Sequence, residues 1–424
     1  MDIRNKIHEY MNEYIKLWPF SGIVTVVKSG EVIFNENYGM ANIEHSVPMT
    51  EKTKFRISSL TKAITCMGIM ILKERGMLDT SDDIRTIFHD YPELDEGITI
   101  HHLMTHTSGL SSNFSVADPY LMLGKRLCTH EEVFDTFKDM PLEFEPGKGW
   151  SYCYFGYYLL GVIIERVSGQ SFREFIKENI FKPLEMKDSG LDEYIEILPN
   201  KASGYYASDE NLICCDIDTK STFSAGAIYS TAEDMLLWDK ALYTEKLVSK
   251  KTMDEIFTPY KYNYGYGWII DRNFNRKRAR HSGGGSWGNG YNHQFQRYID
   301  DEITILVLSN YGFSSSFNIN ENIGKIIFNE EYSMPSRPEA FELDLNIYDS
   351  YTGVYEENGA KIEVKRDKEN LYFVKEFAKQ GCKWKMPIYP ISENKFHHMW
   401  IDQEYSIGKD DSGELRFNGI KKIS

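Results

Sequence analysis

Residues Phe55-Arg56-Ile57-Ser58-Ser59-Leu60-Thr61-Lys62-Ala63-Ile64-Thr65-Cys66-Met67-Gly68-Ile69-Met70-Ile71-Leu72 decide how this chain is read. From Ala63 the stretch is apolar nearly all round, which predicts a buried helix over about Ser59–Arg75, with Gly76 as its stop. Ser59 and Lys62 stand three residues apart at the helix start, where i and i+3 share a face and the amine can reach the hydroxyl. A free hydroxyl is a poor nucleophile at pH 7 and needs such a partner. Burial lowers a lysine pKa, so a neutral amine base is feasible. At a helix start the Ser59 N–H is also free to help an oxyanion hole. The chain holds three Ser-x-x-Lys triplets. Ser392–Lys395 and Ser406–Lys409 fall in a strand-like tail, where i and i+3 point to opposite faces. Taken alone, Ser59 and Lys62 read equally well as a helix-start serine and a solvated lysine.

Upstream of this stretch, Ile3, Ile7, Tyr10, Met11, Tyr14 and Ile15 recur at helical spacing. Ile23–Val27 and Val32–Phe34 flank the turn Lys28-Ser29-Gly30-Glu31 and read as a β-hairpin. Downstream, Gly156–Val167 is a second apolar helix ending near Gly169. Thr231 reads as the N-cap of a helix toward Tyr243. Trp268–Ile270, Arg278–His281, Gln294–Ile299 and Ile303–Ser309 suit an antiparallel sheet with a turn at Asp300-Asp301, and a helix follows around Ile319–Phe328. Ser333-Met334-Pro335-Ser336-Arg337-Pro338 is a stiff linker signal. Beyond it, Lys361–Val364, Leu371–Val374 and Trp384–Tyr389 are strand-like, the last weakened by Pro387.

The 424 residues exceed one ordinary domain. Apolar residues are 42% and charged residues 26%, which excludes disordered, collagen-like and coiled-coil chains. A formal charge of −15 argues against nucleic acid and against an acidic membrane surface. The first twenty residues lack the uninterrupted apolar run of a secretion signal, and no stretch approaches the roughly 18–20 apolar residues of a membrane span. A cytoplasmic location is therefore expected. Six scattered cysteines form no disulfide framework. With no His-Glu-x-x-His and no close Cys/His pairing, neither a metal nor a cofactor is expected. The run Arg272, Arg276, Lys277, Arg278 and Arg280 reads as a solvated hairpin, with attraction of an anionic substrate group as the alternative.

The Phe55–Lys62 segment resembles the active-site segment of the class C β-lactamase-like serine hydrolases, a family that includes penicillin-binding D-Ala peptidases, D-aminopeptidases and related esterases. Further segments agree in order: Ile98-Thr99-Ile100-His101-His102-Leu103-Met104-Thr105-His106-Thr107-Ser108-Gly109-Leu110; Pro146-Gly147 through Tyr152, then Gly156 to Gly169; Ser230-Thr231-Ala232-Glu233-Asp234; and Arg280-His281-Ser282-Gly283-Gly284. The resemblance covers about residues 15–330. It implies that Ser59 is the nucleophile, that Lys62 takes its proton or holds Tyr152 ionisable, and that Tyr152 passes a proton to the leaving group. His281 would orient Tyr152 or a substrate carboxylate, and the Ser59 and Gly284 N–H groups would form the oxyanion hole. Gly283 and Gly284 also make sense as a bare strand edge that approaches substrate. Ser282 joins them in that wall. Asn113 would reach the substrate amide, and His102 and His106 would fix the loop beside the site.

Two departures from the family pattern bear on substrate. The second motif normally ends in Asn, and here Tyr154 follows Tyr152-Cys153 in that place. A ring loses a two-sided hydrogen-bonding amide and reshapes the pocket. The third motif begins with His281, where the lactamases prefer Lys. Both favour an esterase or peptidase over a dedicated lactamase. The expected architecture is α/β, of the α+β type. Residues 1–335 form the hydrolase domain, with an antiparallel sheet and a helical half, and residues 336–424 a small all-β, barrel-like domain. A small-molecule acyl substrate is expected. The rival is a penicillin-binding or sensor-like protein that acylates without turnover.

Overall fold

A computed structural model of the chain describes residues 2–423 except 92–93, 95–96, 112–128, 139, 194–195, 209–210, 216–221, 285–289, 358–359, 368–369, 377–382 and 411. The principal helices are α1 (Ile3–Leu17), α2 (Thr61–Glu74), α3 (Tyr154–Ser168), α4 (Ala232–Ala241) and α5 (Ser316–Phe328). The main sheet holds β1 (Gly22–Lys28), β2 (Glu31–Tyr38), β3 (Ile269–Asn273), β4 (Arg276–Gly284), β5 (Asn292–Tyr298) and β6 (Ile303–Ser309). Its spatial order is β3-β4-β5-β6-β1-β2, antiparallel throughout. β1 therefore pairs with β6, Gly22 opposite Ser309, although the two strands lie at opposite ends of the domain.

Alternation along the strands sends side chains to two cores. On one face Val24, Val26, Ile305 and Val307 meet Ile7, Tyr10, Met11 and Tyr14 of α1 and Ile319, Ile323 and Ile326 of α5. On the other, Phe295, Leu306 and Leu308 join the larger core around α2 and α3. α2 is buried from Thr61 to Leu72, as its nearly continuous apolar run requires. It packs on α3, where Gly68 of α2 leaves space for Ile164 of α3. Thr231 caps α4 by accepting from the Asp234 N–H. Gly169 closes α3 in the left-handed conformation, φ 71°.

The tail is an eight-stranded antiparallel meander in sequential order: β7 (Gly353–Glu357), β8 (Ala360–Asp367), β9 (Asn370–Glu376), β10 (Lys383–Pro390), β11 (Lys395–His398), β12 (Glu404–Lys409), β13 (Leu415–Phe417) and β14 (Ile420–Lys421). An antiparallel bridge from Tyr355 to Lys422 and a bond from the Ile423 N–H to the Val354 carbonyl join the last strand to the first, closing a barrel. Pro387 does not prevent a strand. It stands opposite Tyr372 on one side, while the register with β11 begins only at Ile388, so the ladder on that side does not include it. Arg337 ties the parts together. Its guanidinium donates to the Leu17 and Met399 carbonyls at 3.1 and 3.2 Å and covers the Trp18 ring.

Among the described residues no helix is long and apolar enough to cross a membrane, and no cluster of ligand-type side chains could hold a metal ion. Cys66, Cys153, Cys214 and Cys215 are thiols outside any disulfide. Cys128 and Cys382 lie outside the described residues. Three of the five basic residues are paired within the protein; of the five only Arg278 is buried, while Arg272 is exposed and Arg276, Lys277 and Arg280 are partly exposed. Arg278 is buried against Asp271 and Glu321, Arg280 pairs with Asp271, and Arg276 with Asp301.

Candidate active site

Ser59 lies in a 3-10 turn, Ser58–Leu60, that leads into α2, rather than inside the α-helix itself. The residue before it, Ser58, is buried with φ 52°, a left-handed conformation that costs a non-glycine residue roughly 1–2 kcal/mol. Such strain persists only where the surroundings hold it. Here the Ile57 N–H donates to Ile228 and the Arg56 carbonyl accepts from His293, which pins the short Phe55–Arg56 strand leading into the turn. Arg56 itself is buried in an ion pair with Asp192 at 2.6 Å.

Lys62 Nζ stands 3.1 Å from Ser59 Oγ and donates to the Ala225 carbonyl at 2.8 Å. The side chain is 1% exposed, and burial pulls its pKa down to about 7. The amine also sits 4.9 Å from the Tyr152 ring centre and 5.5 Å from that of Tyr157, so its walls are aromatic faces. No carboxylate is among the groups that set its pKa; Cys153 and Cys66 are the secondary influences. The Tyr152 hydroxyl donates to Ser59 Oγ at 2.9 Å from a ring that is 39% exposed. Serine, lysine and tyrosine thus converge on one oxygen at the edge of a buried helix.

His281, on β4, is placed differently from the sequence-based expectation. Its Nδ1 lies 2.6 Å from the Ser282 carbonyl, which can only accept, so Nδ1 carries the proton. The neutral ring then accepts at Nε2, and Tyr264 donates to it at 2.9 Å. Burial, with Lys62 as the next cause, lowers the imidazole pKa to about 3. Both nitrogens are therefore committed. The ring lies tilted at 45° to that of Tyr152, centres 6.5 Å apart, and neither orients its hydroxyl through a hydrogen bond nor presents a nitrogen to a carboxylate.

His106 completes the floor. It is 1% exposed in a left-handed conformation, φ 60°, and its Nδ1 accepts from the Cys153 N–H. Its ring lies 4.5 Å from Tyr152, 4.6 Å from Tyr264 and 4.9 Å from Tyr157. His102 closes a capping box with Thr99 at the start of Ile100–Met104. The expected loop-fixing role of both histidines matches these bonds.

The remaining predicted residues separate. Gly283 is confined by protein rather than kept bare for substrate, since a Cβ there would overlap the Ile57 carbonyl oxygen. Gly284 has φ 83°, which a side chain would strain, and Ser282 is exposed. Tyr154 is the first residue of α3 and 6% exposed, its ring edge-on to Phe137 in the main core, so the described contact is packing rather than a substrate wall. Asn113 lies outside the described residues. Three partners escaped the sequence reading: Ala225, Tyr264 and the ring cage around His106. The signal for Ala225 was the small-residue run Ser224-Ala225-Gly226. That for Tyr264 was the dense ring stretch Tyr260–Trp268.

A family model described as Beta-lactamase matches residues 17–325. The chain belongs to the Beta-lactamase family. The Beta-lactamase domain so defined contains every group that converges on Ser59. Among proteins of this kind, "Penicillin-binding protein 4*" of Bacillus subtilis (strain 168) is 29% identical, over 92% of this chain and 91% of that one. "D-aminopeptidase" of Gluconobacter oxydans (strain 621H) is 27% identical over 62% and 51%. The solved octameric penicillin-binding protein homologue from Pyrococcus abyssi superposes with a TM-score of 0.68 at 25% identity, covering 100% of both chains. Its coverage includes the barrel, which the family model does not.

Proposed function

We propose that this member of the Beta-lactamase family is a serine hydrolase that passes through an acyl-enzyme on Ser59 and acts on small esters or D-amino-acid amides. The observation that carries the reading is the uncharged-leaning, buried Lys62 amine at 3.1 Å from Ser59 Oγ. With one N–H on the Ala225 carbonyl, the neutral amine keeps a lone pair for the serine proton. Ser59 Oγ attacks the substrate carbonyl, and the Ser59 and Gly284 N–H groups receive the oxyanion. Tyr152, hydrogen-bonded to the same oxygen, hands a proton to the departing alcohol or amine. Water then releases the acyl group. In this scheme His281 holds Tyr264 rather than touching substrate. The D-amino-acid amide class is supported by likeness to the D-aminopeptidase.

A fluorophosphonate probe followed by intact-mass measurement tests the assignment. Wild type should gain one adduct and Ser59→Ala none; an unchanged adduct on Ser59→Ala refutes the nucleophile. A second reading rests on the near-full-length likeness to Penicillin-binding protein 4*: acylation without turnover. Steady hydrolysis of a p-nitrophenyl ester separates the first reading from a single stoichiometric burst. Penicillin-type substrates should turn over poorly, because a core tyrosine stands where the family pattern places an asparagine amide.

A further inference from the structure

A cavity of about 750 Å³ is lined jointly by the C-terminal barrel and by the main sheet. Eight-stranded barrels have interiors that side chains can fill or that hold one small ligand; here side chains such as Tyr355, Leu371 and Phe396 fill the interior, and the cavity at its mouth has a volume within the roughly 300–1,000 Å³ that ligand pockets span. Ile362, Phe373, Met386 and Phe417 supply an apolar wall from the barrel. Gln294 and Asn292 of β5 supply amides from the sheet.

This cavity is separate from the nucleophile. In the β4–β5 register Gln294 stands opposite Ser282 and Asn292 opposite Gly284. The pair between them, Gly283 and His293, faces the Ser59 turn: His293 donates to the Arg56 carbonyl, and a Cβ on Gly283 would meet Ile57 and Leu60. Alternation then turns Gln294 and Asn292 to the other face. One strand layer stands between cavity and site.

The lining also selects on charge. Among the described residues it contains Asp402 and Glu404 but no lysine, arginine or histidine. An anionic head would be desolvated beside those carboxylates with no cation among the described lining residues to offset the loss, and Arg280, near the Phe317 ring, is already paired with Asp271. We propose that the barrel mouth binds one small amphiphile with a ring-bearing or alkyl body and an uncharged head that the Gln294 and Asn292 amides can hydrogen-bond.

The test uses the full-length protein and two fluorescent probes, neutral 1-aminoanthracene and anionic 8-anilinonaphthalene-1-sulfonate. The neutral probe should bind saturably at one equivalent, at least about tenfold tighter than the sulfonate. Met386→Trp, which fills the cavity, should weaken 1-aminoanthracene by a similar factor. Benzophenone photolabelling of wild type then maps the site without any substitution, and label should fall on Met386 or its barrel neighbours. Equal affinity for the sulfonate, an unaltered affinity in a folded Met386→Trp, or label confined to residues around Ser59 would each overturn the proposal. If Met386→Trp does not fold, the wild-type label map and the charge preference decide it.

Discussion

On the proposed acyl-enzyme route Lys62 has to be neutral before it can take the Ser59 proton, and burial sets when that happens. With the Lys62 pKa lowered to about 7, ester hydrolysis should rise with pH through an inflection near that value and then level off. His281, lowered to about 3, and His106, held well below its ordinary range, stay neutral across this window and should add no inflection of their own. The same shift acts on stability. The unfolded chain keeps the lysine protonated up to its ordinary range near 10.5, while the folded chain releases that proton near 7. Between those values the unfolded state binds more protons, so stability rises with pH there, and below them the cost of burying the charge is fully present. Lys62→Met should therefore lower turnover by about 10²–10⁴-fold. It should also raise the thermal midpoint, with a larger gain at pH 6 than at pH 9. A midpoint lowered equally at both values would contradict this. At this scale Ser59 and Lys62 are legible because their spacing is local. The Ala225 carbonyl and the Tyr264 hydroxyl are not, because tertiary packing alone brings in residues 163 and 17 positions away from their partners.

β4 carries a tight backbone constraint next to the Ser59 turn. Gly283 packs against the backbone that leads into the Ser58–Leu60 turn, so neither side can yield easily. Gly283→Ala should cost roughly 1–3 kcal/mol, read as a lower thermal midpoint, and should slow fluorophosphonate labelling. Gly30, in the β1–β2 turn at φ 79° with nothing within 4 Å of the place a Cβ would take, is the control. Its alanine variant should lose only about 1 kcal/mol and keep full labelling. Helix and strand positions are readable from the helical spacing of α1, the nearly unbroken apolar runs of α2 and α3, and the short strand-like runs of β4 to β6. A motif position says nothing of which way a first-turn side chain points, so the core contact of Tyr154 is not legible from the motif. Once Tyr154 opens α3, its ring turns to Phe137.

Two bodies share one core at the level of the whole molecule. Tyr206, Ala207 and Phe313 of the Beta-lactamase domain belong to the same buried cluster as the barrel interior. Ending the chain after residue 344 should expose that cluster, so the truncated protein should aggregate or melt several degrees lower. An unchanged midpoint by calorimetry would show that the barrel contributes no support. The barrel-like form of the tail is legible from the family resemblance, whereas nothing in its strand runs signals closure. Each strand is short, and the joint between first and last, Tyr355 with Lys422, is a long-range contact without a local signal.

The pairing of β1 with β6 has a consequence for synthesis. Gly22 and Ser309 are 287 positions apart, so the second hydrogen-bonded neighbour of the first strand leaves the ribosome long after it. At about 5–20 residues per second that interval is roughly 15–60 s. Throughout it, the β1–β2 hairpin has an open edge and an uncovered apolar face, the situation in which chains mispair or recruit chaperones. Ser59 is made early, yet β4, which packs against its turn, follows only after α2, α3 and α4, so that turn waits for its tertiary support during synthesis.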